Sequence, residues 1–228
     1  VDFPYVLFKG LADFFSKYNF TIDENDPDDS EVGIDPEMLG HIFENLLEDN
    51  KDKGAFYTPK EIVQYMCENS IGQYLKTHLG DSFEPSIYKL LRAKFVDEIV
   101  KDNAKQIYEL LCKVRVCDPA IGSGAFPMGI LNVLFQTRQL LYPYAKYKES
   151  FSLAGIKRDI IQNNIFGVDI EQGAVDIARL RFWLALVVDE EVPQPLPNLD
   201  YKIMCGNSQL CRYALKTPIS EVFKEYNK

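Results

Sequence analysis

Three polar residues follow three short apolar runs of the sequence. Asp118 closes V-R-V-C-D, Asp169 closes N-I-F-G-V-D, and Asn207 follows Y-K-I-M-C. A carboxylate can accept hydrogen bonds from an ammonium group or from a pair of hydroxyls, and an amide both donates and accepts. If the fold brings these residues together, they predict a binding site for a small ligand with amino and hydroxyl groups.

A glycine-containing turn, P-A-I-G-S-G, comes directly after Asp118. Gly122 and Gly124 would let the backbone approach a ligand closely. The turn departs from G-x-G-x-x-G because Pro127 stands three residues after Gly124. Asp169 lies 45 residues after Gly124, whereas a dinucleotide site places its ribose acid about 20 residues on. No G-K-[ST] follows, so the turn is a poor phosphate cradle, and its acid suits a ligand with an amino group.

The residues around the second and third runs have two readings each. Asp169 could accept both hydroxyls of a ribose, with Ile170 packing on an adenine face, or it could merely cap the helix that follows. Asn207 could read an adenine edge, or G-N-S could be an ordinary turn. We expect Arg179 and Arg181 of the next helix to be structural or surface-facing.

The elements that must position these residues follow from the apolar pattern. Helical spacing predicts helices over about 36–48, 59–75, 86–111, 124–141 and 171–188. Thr58 is expected to cap the second of them, with Pro59 first in the helix and Glu61 completing a capping box. Alternating strands and helices over the second half predict an α/β fold with a parallel, doubly wound sheet, whose strand ends meet at one edge.

Composition narrows the class of protein. The 228 residues are 46% hydrophobic and 26% charged, which is typical of a globular protein, and no apolar run is long enough to span a bilayer. The formal charge of the chain is -9, and residues 1–53 hold 14 acids and 4 bases. Residues 54–228 are therefore almost neutral. No basic face is evident, which argues against a complete DNA-binding unit. Five cysteines without a C-x-x-C pair and only two histidines predict reduced, mostly buried thiols, a cytoplasmic location and no metal site.

Four segments together resemble a known family. They are F-Y-T-P-K-E-I-V, C-D-P-A-I-G-S-G-A-F, F-G-V-D-I-E-Q-G-A-V-D-I-A-R-L-R-F-W-L-A-L and C-G-N-S-Q-L. In this order they look like successive motifs of S-adenosylmethionine-dependent adenine-N6 DNA methyltransferases of restriction-modification and phage-defence systems. The earlier L-G-H-I-F-E-N-L-L resembles the segment before Thr-Pro in combined restriction-modification (type IIG-like) polypeptides. The resemblance covers about residues 35–210.

The resemblance implies S-adenosylmethionine as cofactor. It implies these cofactor-binding residues: Tyr57, Thr58, Asp118, Ala120, Gly122, Asp169, Ile170 and Asn207. Thr58, with Tyr57, would meet the methionine carboxylate, and Asp118 would meet the amino group above a floor formed by Ala120 and Gly122. Asp169 would hold the ribose, Ile170 would pack on the adenine and Asn207 would take the adenine amino edge. The family often has an acid where this chain has Asn207.

The family's catalytic motif, N-P-P-Y or a close relative, is absent from the sequence. We therefore expect no catalytic residue within the chain, a catalytic motif and a DNA-reading domain beyond its end, and no methylation by this chain alone. Double-stranded DNA would be bound through that further region. The expected organisation is an N-terminal helix and acidic linker over 1–34, a helical segment carrying Thr-Pro over 35–112, and a partial Rossmann-like domain of three strands over 113–228.

Two other functions stay open at this point. One is a noncatalytic Rossmann-like scaffold and the other is a nicotinamide-nucleotide-binding oxidoreductase domain. Without a fourth strand, strand 114–118 would present an unpaired edge, which we expect either a C-terminal segment or a second copy of the chain to cover.

Overall fold

A computed structural model describes residues 58–145, 152–187, 199 and 201–209. Its helices are α1 (Lys60–Leu79), α2 (Glu84–Ala93), α3 (Glu98–Asp102), α4 (Ala104–Lys113), α5 (Ala125–Ala145), α6 (Leu153–Asn163) and α7 (Gln172–Val187), with a 3-10 turn over Asp81–Phe83. Its strands are β1 (Val116–Asp118), β2 (Ile165–Asp169) and β3 (Ile203–Cys205). The helix predicted over 36–48 lies outside the described residues, as does the domain boundary predicted at residue 34.

The three strands form one parallel sheet in the order β1-β2-β3. This confirms the predicted α/β class and an incomplete Rossmann-like sheet. The helices α5, α6 and α7 all contact β2 and one another, so they cover the same face of the sheet. Within the described residues, this is one half of a doubly wound arrangement.

Among the described residues, β1 pairs with β2 alone. The opposite edge of β1 therefore has no neighbouring strand in this part of the chain. Backbone donors and acceptors along such an edge can pair with another segment or chain. Its covering by a C-terminal segment or by a second copy stays a prediction.

Asn164 fixes where β1 runs beside β2. This fully buried side chain donates from Nδ2 to the carbonyls of Leu111, Cys112 and Val114 at 3.1, 3.1 and 2.6 Å. These carbonyls end α4 and lead into β1, where a helix leaves acceptors without intrahelical partners. Val116 N then donates to the Asn164 backbone carbonyl at 2.7 Å. One side chain at the start of β2 thereby sets the start of β1.

The apolar core is centred on α5, which packs against α1, α4 and α6. Its buried residues lie on several sides of the helix and include Ile130, Leu134 and Leu141, each fully buried. A helix that is apolar nearly all round belongs in the interior. The core therefore holds α5, which starts immediately after the glycine turn, in a fixed position relative to the sheet.

The single helix predicted over 86–111 is wrong. The structure has three helices in this region, because α2 ends at Ala93 and the next residue, Lys94, has a left-handed backbone with φ 53°. The carboxylate of Asp97 then accepts from Val100 N at 3.0 Å and starts α3, while Asn103 separates α3 from α4. A capping aspartate was the available signal for this break.

Two other local predictions are corrected. The capping box at Thr58 is wrong, because Pro59 is the N-cap of α1 and no side chain caps the helix. A further helix, α6, was not predicted at all. Ser152 begins it by accepting from Gly155 N at 3.1 Å, and the spacing of Ile156, Ile160 and Ile161 was the signal for it.

The cysteines are less buried than expected. Among the four that the structure describes, all are free thiols, but Cys67 alone is buried and Cys117 and Cys205 are exposed. The prediction of mostly buried thiols is therefore wrong for these positions. None of the helices described is both long and apolar enough to cross a membrane.

Candidate functional site

The carboxyl ends of β1 and β2 meet through a direct hydrogen bond. Gly122 N, in the turn after β1, donates to Asp169 Oδ2 at 2.8 Å, although the two residues are 47 apart in sequence. Ile121 N donates to the carbonyl of Val168 at 3.0 Å in the same place. The structure thus brings the glycine turn and the second-strand acid together, as expected for neighbouring parallel strand ends.

Asp169 has both roles that the sequence left open. Its Oδ1 accepts from Glu171 N at 2.9 Å, which supports the turn into α7, and its Oδ2 accepts from Gly122 N. An ionised carboxylate has about four acceptor positions on its two oxygens. Two backbone bonds therefore leave acceptor capacity for ligand hydroxyls.

Asp118 is half-buried at the end of β1 and has a purely local hydrogen bond. Its Oδ1 accepts from the N–H of Ala120 at 3.0 Å. Burial raises the pKa of Asp118, the bond from Ala120 opposes this rise, and the negative charge of Asp169 adds to it. A cation beside Asp118 would relieve the cost of its charge.

Gly122 borders open space. Its φ is 53°, and a Cβ built on it would find no atom within 4 Å. Gly124, with φ 91°, is closely packed instead, because its Cβ would lie 3.2 Å from the Cβ of Ala178 on α7. The turn therefore rests on α7 at Gly124 and is open at Gly122. Ala120, two residues before Gly122, is exposed.

The helix that follows Thr58 packs against the start of α5. Cys67 Sγ donates to the carbonyl of Phe126 at 3.5 Å, and a Cβ on Gly129 would lie 2.6 Å from Val63 Cγ1 and 2.8 Å from Cys67 Sγ. Burial, then the charges of Glu68 and Asp118, raise the pKa of Cys67 to about 12. The first turns of α1 are thus close to the end of β1.

The two residues predicted to meet the methionine carboxylate are Thr58 and Tyr57. Thr58 is half-buried just before α1 and makes no hydrogen bond to Asp118 or Asp169 in the described part of the chain, and Tyr57 lies outside the described residues. Their predicted contact with a methionine carboxylate stays a prediction.

The third strand reaches the same edge through its backbone. Gly206 N donates to the carbonyl of Asp169 at 2.8 Å, which brings the turn after β3 beside the end of β2. Asn207 follows, but its Oδ1 accepts from Gln209 N at 2.9 Å within its own turn. Ile170, the residue after Asp169, has 72% of its surface exposed, and its carbonyl accepts from Cys205 Sγ at 3.5 Å. An exposed isoleucine next to a carboxylate fits packing on a flat ring.

The residues present fit an adenosine carrying an amino acid. The half-buried carboxylate of Asp118 suits an ammonium, Asp169 has acceptor capacity for hydroxyls, and Ile170 offers an apolar surface. Gly122 leaves the space that a side chain would fill. In the described part of the chain, no three His, Cys, Asp or Glu side chains are grouped to hold a metal ion.

Sequence analysis missed Gly167, the residue that lets the glycine turn lie on β2. A Cβ on Gly167 would overlap the side chain of Ile121. Glycine inside a predicted strand often marks such a close approach, and this was the available signal. It could not reveal Ile121 as the partner, which is 46 residues earlier.

Comparison with known proteins identifies relatives of most of the chain, although no protein-family model matches it. A protein of Methanocaldococcus jannaschii, named as a type II restriction enzyme and methyltransferase, is 32% identical over an alignment of 218 residues that covers 87% of this chain and 18% of that protein. The adenine-specific methyltransferase PglX of Lacticaseibacillus casei is 25% identical over an alignment of 202 residues that covers 78% of this chain and 16% of the relative. This chain is related to one segment of these methyltransferases.

A third relative extends the pattern. The adenine-specific methyltransferase BrxX of Escherichia coli is 28% identical over 163 residues, which cover 62% of this chain and 13% of that protein. The predicted resemblance to restriction-modification and adenine-specific methyltransferases is thereby confirmed. The chain spans less than a fifth of the length of each of these relatives.

Proposed function

We propose that the chain is the S-adenosylmethionine-binding part of an adenine-N6 DNA methyltransferase of restriction-modification type. The bond from Gly122 N to Asp169 Oδ2 at 2.8 Å is the observation that carries the proposal, because it joins the glycine turn to the second-strand acid beside open space. The relatives named as adenine-specific methyltransferases support the same function.

Each end of the cofactor has a partner in this proposal. Asp118 takes the ammonium, Ala120 and Gly122 form the floor, and Asp169 takes ribose hydroxyls. Ile170 packs on the adenine, Asn207 binds its amino edge, and Thr58 with Tyr57 meets the methionine carboxylate. The bound cofactor would supply the methyl group for transfer to the base.

Methyl transfer needs more than this site. Chemistry on a base within duplex DNA requires that the base be extruded into a pocket. The sequence contains no N-P-P. We therefore propose that the catalytic N-P-P-Y motif and the DNA-reading region belong to parts of the enzyme outside these 228 residues, and that this chain alone is inactive.

Calorimetric titration of the chain with S-adenosylmethionine and, separately, with NAD tests the cofactor. We expect binding of S-adenosylmethionine and none of NAD. Binding of NAD alone would overturn the proposal in favour of an oxidoreductase domain, and binding of neither would favour a scaffold.

A matched pair of variants ties the result to the site. Asp118→Asn should weaken binding, whereas Asp102→Asn should leave it unchanged. Asp102 is exposed on α3. Its neighbour Lys101 has its ammonium 5.8 Å from the ring of Tyr144, which lies at the end of α5 opposite to the glycine turn. Equal effects of both variants would contradict the assignment of Asp118.

A further inference from the structure

The helix α7 contacts β2, β3 and the glycine turn that follows β1. It begins at Gln172, three residues after Asp169 at the end of β2. Arg181 Nη1 donates to the carbonyl of Ser123 in the glycine turn at 3.0 Å. Arg179 donates to the carbonyl of Ile203 in β3, from Nη2 at 2.6 Å and from Nε at 3.1 Å. Two arginines two residues apart thus join α7 to the chain on either side of β2.

The contact between Arg181 and the glycine turn is buried. Arg181 is 4% exposed and Ser123 is 6% exposed. One helical turn earlier, the fully buried Ala178 packs under Gly124. A buried carbonyl that loses a charged donor has no water to replace it, so the bond is costly to remove. The turn is therefore held from below at two points on one face of α7.

The turn needs such support because of its backbone conformation. Gly122 and Gly124 both have positive φ, at 53° and 91°. Glycine has little preference for this region over others, so the conformation must be selected by contacts outside the residue itself. Gly122 N bonds to Asp169 and Gly124 N bonds to the carbonyl of Ile121 at 2.9 Å. Arg181 holds the carbonyl that lies between these two amides.

We propose that Arg181 is a positioning residue of the cofactor site, which fixes the glycine turn in the conformation that brings the Gly122 amide to Asp169. Its effect on ligand affinity rests on the proposed function. Its effect on the turn does not, because the bonds involved are all within the chain.

Amide hydrogen exchange, followed by NMR on the ligand-free 228-residue chain, tests the effect on the turn. Arg181→Met retains an unbranched side chain but removes the donor, and should speed exchange at Gly122 and Gly124 about tenfold or more by releasing the turn. Arg138→Met is the matched control, since Arg138 is also 4% exposed. It lies 13 residues into α5, about 20 Å from the turn, and pairs with Asp159 at 2.7 Å.

Unchanged exchange at Gly122 and Gly124 in Arg181→Met, or an equal increase in Arg138→Met, would overturn the proposal. Arg181→Lys retains a charged donor and should exchange at rates between those of wild type and Arg181→Met. If Arg181→Met does not fold, comparison of Arg181→Lys with Arg138→Lys decides in the same way, with faster exchange at the two glycines expected in Arg181→Lys alone.

Titration of the same proteins with S-adenosylmethionine tests the effect on affinity. We expect Arg181→Met to raise the Kd about tenfold, because the charged hydrogen bond that holds the glycine turn is lost. Arg181→Lys should restore part of the affinity, and Arg138→Met should leave the Kd unchanged. Faster exchange without weaker binding would overturn the role of Arg181 in the cofactor site. If wild type binds no S-adenosylmethionine, the proposed function fails, and hydrogen exchange still decides whether Arg181 fixes the turn.

Discussion

The ends of β1 and β2 both carry an aspartate, but the two side chains are used differently. Asp169 accepts from Gly122 N and Glu171 N, so it joins two parts of the backbone that are far apart in sequence. Within the described residues, Asp118 accepts from its near neighbour Ala120 alone, and burial raises the pKa of Asp118. One acid is part of the scaffold, whereas the other is charged at a cost.

Because of this difference, the two aspartates would contribute to ligand binding in different ways. Asp169 contributes to the structure before any ligand arrives, and a hydroxyl added to it gains from a carboxylate that is already oriented. Asp118 gains most from a positive group, because a nearby cation favours its ionised form. The comparison therefore predicts that variants at the two positions have different effects on stability as well as on affinity.

The largest effect is expected for Asp169→Ala. Removing the carboxylate takes the acceptor from two backbone amides, which should lower the free energy of unfolding by about 1–3 kcal/mol. It should also weaken S-adenosylmethionine binding by about 1.5–3 kcal/mol. Urea denaturation and calorimetric titration measure the two losses. Unchanged affinity in a folded variant would remove Asp169 from the ligand site.

A smaller effect, confined to binding, is expected for Asp118→Asn. The amide oxygen can still accept from Ala120 N, and the cost of a half-buried charge disappears, so the free energy of unfolding should stay within about 0.5 kcal/mol of wild type or rise. Affinity for S-adenosylmethionine should fall by about 1 kcal/mol, because a neutral acceptor replaces a charged one. A loss of stability as large as that of Asp169→Ala would erase the distinction between the two strand ends.

The smallest effect is a pH dependence that belongs to Asp118. Burial raises the pKa of Asp118 in the folded chain above its value in the unfolded chain. The contribution of this group to folding stability is therefore fully present at a pH below its unfolded-state pKa, and it is lost as the pH rises through its folded-state pKa. Cation binding has the opposite dependence, since it needs the ionised form. As pH falls from 7 through the raised pKa, we expect S-adenosylmethionine affinity to weaken by no more than the roughly 1 kcal/mol expected for Asp118→Asn, because both changes remove the same negative charge. The pH profile of Asp118→Asn should be flatter, and identical profiles would exclude Asp118 as the titrating group.

Much of the site could be predicted because local sequence signals coincided with a general property of parallel sheets. Asp118, the glycine turn and Asp169 each followed or ended a strand-like run, and neighbouring strand ends lie at one edge. The role of Asn207 stays a prediction, and in the structure its side chain bonds within its own turn. The separate pattern for α7 was also recognisable from its apolar spacing.

The remaining features depend on contacts that one sequence does not encode locally. Arg181 was expected to be structural or surface-facing, and nothing near it indicates that it donates to Ser123, 58 residues earlier. The overlap that requires Gly167 arises in the same way from Ile121. Tertiary packing decided both of these. The break of the predicted helix at Lys94 did have a local signal, which was the capping Asp97 rather than a glycine or a proline.

The contact between Gly167 and Ile121 also constrains how this sequence can diverge. Any side chain at position 167 would displace the side chain of Ile121, the residue immediately before Gly122. A shorter side chain at residue 121 would open room for a methyl group at 167. The substitution at 121 is therefore tolerated before the one at 167, whereas the reverse order is not. We therefore expect homologues to exchange this pair together, a small residue at either position accompanying a larger one at the other.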